Sequence, residues 1–171
     1  MNSQDLRAVQ APLKERYRSE PQAGMITLQA EGRIGQGITC SIQTGKALVE
    51  AGLHPATGGN GTFACSGDML LEALAACAGV TMAAVATSLG IELRGGTVRA
   101  EGDLDFRGTL GVSKEAPVGF QRIRLRFELD TDASAEQIAT LHRLTERYCV
   151  VYQTLRQPPS IEISLNSHTA A

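Results

Sequence analysis

The sequence has no tryptophan, three tyrosines, four phenylalanines and no run of basic residues. A nucleic-acid surface needs aromatic planes for bases and a clustered positive field for phosphates. With a net charge of −2 and no Lys/Arg block, no nucleic-acid partner is expected. The four cysteines, Cys40, Cys65, Cys77 and Cys149, form no CxxC pair, and His54, His142 and His168 are scattered. That spacing holds no zinc constellation, so neither a metal nor another cofactor is expected. The GGNG stretch at 58–61 fits neither GxxxxGK[ST] nor GxGxxG and reads as a turn rather than a phosphate cradle. No secretory leader is recognisable, so a cytoplasmic setting is expected, where structural disulfides are rare.

What is present is one long apolar stretch, SGDMLLEALAACAGVTMAAVATSLG, Ser66 to Gly90. From Met69 to Ala86 its one charged residue is Glu72. Ser66 reads as the N-cap, Asp68 suits the positive end of the helix dipole, and Gly90 is placed to stop the helix in a left-handed conformation. Its length invites a membrane reading. Its content is Ala, Gly and Thr rather than Leu, Ile and Phe, Glu72 lies inside it, and no basic flank follows, so no membrane span is expected. Small residues on most faces predict a central helix that other elements approach closely. Cys77 lies in the middle, and read alone it is a small core hydrophobe as readily as a reactive thiol.

The chain length predicts one domain. Residues 1–24 carry Leu6, Val9, Leu13 and Tyr17 near helical spacing, interrupted at Pro12, and predict a helical N-terminal arm. Ile26, Leu28 and Ala30 alternate with polar residues, as do Ile38, Cys40 and Ile42. With the glycine-rich turn Gly32–Gly37 they predict a hairpin that packs Cys40 in the core. Residues 53–65 read as a loop. Strands follow at Val98–Phe106 and Arg122–Leu129, separated by a loop at 107–119. The arginines between the apolar residues of the second strand read as a solvated face. SAEQ, Ser134 to Gln137, is a capping box opening a second helix that runs through Cys149. Ile161, Ile163 and Leu165 predict a last strand, and 166–171 a disordered tail. Helices and strands come in separate runs with no regular βαβ unit, so the class is α+β with a mainly antiparallel sheet.

Spacing limits the thiol chemistry. Cys65 and Cys77 lie about 18 Å apart along one helix, and His142 lies about 10 Å from Cys149 along another, too far to act as its base directly. Cys77 lies about 16 Å past the cap of its own helix, beyond the reach of that dipole. A reactive Cys77 therefore requires a cation from elsewhere to stabilise its thiolate.

LLEALAACAGVTMAAVA from Leu70, followed after about 70 residues by ERYCVVYQTL from Glu146, resembles the OsmC/Ohr family over roughly residues 25–165. The resemblance implies an α+β fold around a long central helix, an intertwined homodimer and thiol-dependent reduction of organic hydroperoxides. It implies Cys77 as the peroxidatic thiol and Cys149 as the resolving thiol, with an external dithiol as reductant. The hydroperoxide-resistance branch places a glutamate ten residues before the reactive cysteine, partnered by an arginine from the first hairpin. That position here is Gly67, and Arg33 best matches the arginine. The sequence thus resembles the broader OsmC-like group. The alternative expectation is an OsmC-like dimer that binds a small molecule or senses oxidation without turnover.

Overall fold

The computed structural model describes residues 2, 4, 5, 8, 11, 19, 31–34, 39–43, 48–111 and 113–166. For 31–34, 39–43 and 48 it describes the backbone. Most of the expected arm, the strand at 26–30 and the tail at 167–171 lie outside these residues. At the start of the arm the Asn2 side chain accepts from the Asp5 N–H at 2.8 Å, and the Asp5 carboxylate accepts from the Asn2 N–H at 3.2 Å, a reciprocal cap.

The first sheet has the order β1 (Glu31–Ile34), β2 (Thr39–Gln43), β3 (Leu48–Gly52), β4 (Ala64–Cys65). A hairpin pairs β1 with β2, Ile34 opposite Cys40, and its first strand lies where the glycine-rich turn was expected; the expected first strand at 26–30 and the Cys40 side chain lie outside the described residues. Strand β3 was not legible beforehand. It pairs antiparallel with β2, and β4 joins it in parallel through Ala51–Ala64 and Gly52–Cys65.

The central helix α1 spans Ser66–Leu89 and Cys65, not Ser66, is its N-cap. Gly90 ends it at φ 69°. The Gly90 N–H donates to the Thr87 carbonyl at 3.2 Å and the Ile91 N–H to the Ala86 carbonyl at 2.9 Å. These two bonds are a Schellman motif, closed by the contact of Ile91 with the core around Ala86. Helix α1 is long and apolar enough to cross a membrane by length and composition. It packs against β5 (Gly95–Leu104), α3 (Ala135–Tyr148) and α4 (Val150–Arg156). Its buried residues are Leu74, Ala78, Met82, Val85 and Ala86, one stripe at helical spacing. The expectation of a helix covered on most faces is not met within one chain, for Ala73, Ala76, Val80 and Ala83 are exposed.

β5 pairs antiparallel with β6 (Phe120–Asp130) as a second sheet. Val98, Ala100, Leu125 and Phe127 are partly buried on one face. On the other Arg124 pairs with Asp103 and Glu101, and Arg126 with Glu101, which accounts for the arginine alternation. Between the strands, Phe106 opens the one-turn helix α2 (Phe106–Thr109) rather than ending a strand, because the Asp105 carboxylate caps it through the Arg107 N–H at 3.0 Å. α3 begins at the expected capping box. Gln137 N–H donates to Ser134 Oγ at 3.3 Å and Ser134 N–H to Gln137 Oε1 at 2.8 Å. Leu141, fully buried on α3, closes the core with Met82, Val85, Ala86 and Ile91. Burying a leucine of that kind contributes about 1.5–3 kcal/mol. Where a last strand was expected, 157–166 pair with no strand among the described residues, and Ile161, Ile163 and Leu165 stand 81%, 92% and 91% exposed.

Candidate active site

The two cysteines of the proposed pair meet where α1, α3 and α4 converge. Cys77 is half-buried at mid-helix and Cys149 is 1% exposed. Both are free thiols. Cys149 does not lie inside a helix as expected. At φ −73° and ψ 108° it is the single extended residue that ends α3 and begins α4.

The break has a chemical consequence. It leaves the first N–H groups of α4 without a side-chain cap from Cys149. Those of Val151 and Val150, with the Cys149 thiol and the Thr81 hydroxyl, lie close enough to the Cys77 sulfur to lower its thiol. Thr81 also donates to the Cys77 carbonyl at 2.8 Å, one turn along α1. The nearby Tyr152 and Val151 N–H groups pull the Cys149 thiol down, by less than burial pushes it up. Desolvation alone would raise the Cys77 thiol. The Val151 N–H, the Cys149 thiol and the Val150 N–H outweigh it and hold Cys77 below the ordinary thiol value. Cys149 moves the other way: desolvation raises it, and donating to the Cys77 sulfur raises it further. The two thiols are thus shifted in opposite directions, Cys77 down and Cys149 up.

The expected cation falls on arginine side chains outside the described residues. Among the described residues, amide N–H groups at the start of a helix other than the one that carries Cys77 lower its thiol, the same physics that a helix N-terminus offers any anion. Sequence separation along α1 hid this, since the donors arrive from 73 positions later in the chain. Arg33 lies in β1 opposite Ser41, and its side chain is outside the described residues. His142 packs edge-on against Phe127, ring centroids 6.5 Å apart. Cys65, at the N-cap of α1, lies in a separate cleft of about 370 Å3 with His54, Gly67, Asp68 and Phe120. A Cβ on Gly67 would meet Phe120, Cys65 and Leu104 at 3.5–3.6 Å. Gly67 brings no carboxylate, and Asp68 is not among the leading groups that set Cys77. A second cleft, of about 480 Å3, lies between β6 and the α3–α4 pair. Leu74 and Tyr152 line it, and no cysteine does. Among the described residues no three His, Cys, Asp or Glu side chains converge as a metal site.

The sequence profile of the OsmC-like protein family matches residues 59–164, which includes both thiols and every element from β4 to α4. The chain belongs to the OsmC-like family. An OsmC-like protein from Mycoplasma pneumoniae superposes with a TM-score of 0.66 at 15% identity, covering 78% of this chain and 89% of the other. An organic hydroperoxide resistance protein from Elizabethkingia anophelis gives 0.63 at 16% identity, with coverage of 78% and 91%. An OsmC-like protein of unknown function from Vibrio cholerae gives 0.62 at 13% identity, with coverage of 76% and 94%. At these identities the likeness establishes the α+β fold around a long helix. No curated protein matches the sequence.

Proposed function

We propose that this OsmC-like protein is a thiol peroxidase that reduces organic hydroperoxides. The observation that carries the reading is the pair of free thiols brought together at the break between α3 and α4, each shifting the other, Cys77 down and Cys149 up. Cys77 thiolate attacks the distal peroxide oxygen. The O–O bond breaks, the alkoxide leaves and takes a proton as an alcohol, and Cys77 becomes a sulfenic acid. Cys149 sulfur then attacks the Cys77 sulfur, water leaves, and a Cys77–Cys149 disulfide forms. An external dithiol returns both to thiols by two exchange steps, becoming a disulfide itself. The names of relatives described as organic hydroperoxide resistance proteins, including one from Legionella pneumophila, support the substrate class.

A homodimer is part of the proposal. Val80 beside Cys77, Val150 beside Cys149, and Val118 are 72%, 70% and 74% exposed, and a second copy covering them would close an apolar wall over the half-exposed thiol. We also place the reaction in the cytoplasm, where dithiol reductants are maintained. Gly67 favours a second reading, a dimer that senses oxidation without turnover, because it lacks the carboxylate implied for the hydroperoxide-resistance branch. Steady-state consumption of cumene hydroperoxide with a dithiol such as dihydrolipoamide decides between them. Sustained turnover that Cys77→Ser abolishes supports the enzyme; a single stoichiometric oxidation supports the sensor; turnover unchanged in Cys77→Ser sinks both.

A further inference from the structure

Glu146, in the last turn of α3, is held twice from across the corner at Cys149. Its carboxylate accepts from the Tyr152 hydroxyl at 3.1 Å, and its main-chain carbonyl accepts from the Gln153 side-chain amide at 2.7 Å. Both bonds are part-buried, and both donors belong to α4. The second has a plain cause. A helix leaves its last carbonyls without partners, and the Gln153 side chain supplies one for α3. Between the two helices stands one extended residue, Cys149. It is tied into both: its N–H donates to the Thr145 carbonyl at 3.0 Å, and its carbonyl accepts from the Gln153 N–H at 2.9 Å. Apart from the packing of α4 on α1, little else fixes the angle of this corner. Glu146 and Tyr152 line the open cleft of about 480 Å3 beside β6, α4 has only seven residues, and the chain beyond it pairs with no strand among the described residues.

We propose that Glu146, Tyr152 and Gln153 form a brace that fixes the α3–α4 corner and holds Cys149 within bonding reach of Cys77. All three are positioning residues for the disulfide, and the inference rests on that proposed disulfide. A disulfide needs Cα atoms about 4.4–6.8 Å apart, with both side chains turned toward each other. Cys77 is fixed by the middle of α1, so the approach is set by Cys149 and hence by the corner. A single extended residue between two helices moves its side chain with every change of angle between them. A misplacement of about 1 Å can slow a reaction about 100-fold. Neither bond of the brace involves a sulfur. Its residues therefore act on the joining of Cys149 to Cys77 and leave the attack of Cys77 on a peroxide alone.

The test equilibrates the full-length protein with glutathione and needs no peroxide. One glutathione disulfide takes two electrons and two protons from Cys77 and Cys149, joins them, and leaves as two glutathione thiols. The Cys77–Cys149 linked peptide is quantified by mass spectrometry after an acid quench, across a series of thiol-to-disulfide ratios. The half-oxidation point gives the effective concentration of one thiol at the other. Losing one bond of the brace lowers the fraction of molecules with the corner closed, about fivefold for one part-buried hydrogen bond. Tyr152→Phe and Gln153→Ala are each expected to lower the effective concentration about fivefold. Glu146→Gln keeps an acceptor for the Tyr152 hydroxyl and should match wild type. If Gln153→Ala does not fold, Tyr152→Phe, which loses one oxygen, decides alone. An effective concentration unchanged or higher in the folded variants overturns the brace and leaves the peroxidase reading standing. Wild type that forms no Cys77–Cys149 link at any ratio overturns the brace as well. The peroxidase reading is judged separately, by hydroperoxide turnover.

Discussion

Replacing Val150 with proline removes one hydrogen bond to the Cys77 sulfur and leaves the local backbone as it is. Val150 is the first residue of α4 and 70% exposed, so the change alters little packing. Proline is favoured at that helix position, where the N–H has no intrahelical partner. The residue before a proline must be extended, and Cys149 already is, at φ −73° and ψ 108°. What is lost is the Val150 N–H, the third of the groups that hold the Cys77 thiolate. A hydrogen bond to a charged acceptor contributes about 1.5–3 kcal/mol, and for a half-buried sulfur that keeps the Val151 donor a loss of about 1 kcal/mol is reasonable. That amounts to about fivefold less thiolate at neutral pH. The assay is the pH dependence of Cys77 alkylation by iodoacetamide, resolved from Cys65 and Cys149 by peptide mass spectrometry. Val150→Ala, which keeps the N–H, serves as the control. Val150→Pro should react about fivefold more slowly at pH 7 and match wild type at high pH; Val150→Ala should match wild type throughout. Equal profiles for wild type and a folded Val150→Pro would refute the assignment of the α4 amides as thiolate stabilisers.

The same pair leaves a mark on stability. Cys77 is lowered on folding, so its contribution is present above the unfolded thiol value and fades as pH falls through the folded one. Cys149 is raised, so its contribution is present below the unfolded value and fades as pH rises through the folded one. The urea midpoint of wild type minus that of Cys77→Ser/Cys149→Ser should therefore peak near pH 8.5, the ordinary thiol value; a flat difference would contradict the shifts. Leu141→Ala opens the fully buried centre of the α1–α3 contact and should cost about 2–5 kcal/mol by chemical denaturation. Gly102→Ala would place a Cβ 2.4 Å from the Phe120 ring and should cost about 1–3 kcal/mol; a neutral result would mean that the ring has room to swing away.

Much of this fold was legible because its signals are local. The Ser134–Gln137 capping box, the Gly90 stop and the alternations along β5 and β6 each depend on a few neighbouring residues, and each formed as read. β3 and β4 were missed because Leu48–Gly52 ends in Ala-Gly and the two-residue β4 exists through pairing alone. The segment at Ile161–Leu165 has a strand's alternation but no partner within the described chain, and alternation without a neighbour makes no sheet. The site shows the same division. That Cys77 and Cys149 belong together was carried by the family resemblance. What sets Cys77 was out of reach, because it depends on where α3 breaks and on which backbone amides that break points at sulfur.

The central claim is that Cys77 is oxidised by an organic hydroperoxide and resolved by Cys149. It is tested most directly by mixing the reduced protein with one equivalent of cumene hydroperoxide, quenching within seconds, and mapping thiols by mass spectrometry. The account predicts a Cys77–Cys149 linked peptide, Cys65 still reduced, and a Cys77 sulfenic acid that accumulates in Cys149→Ser. A Cys77 that stays reduced at stoichiometric peroxide would contradict it.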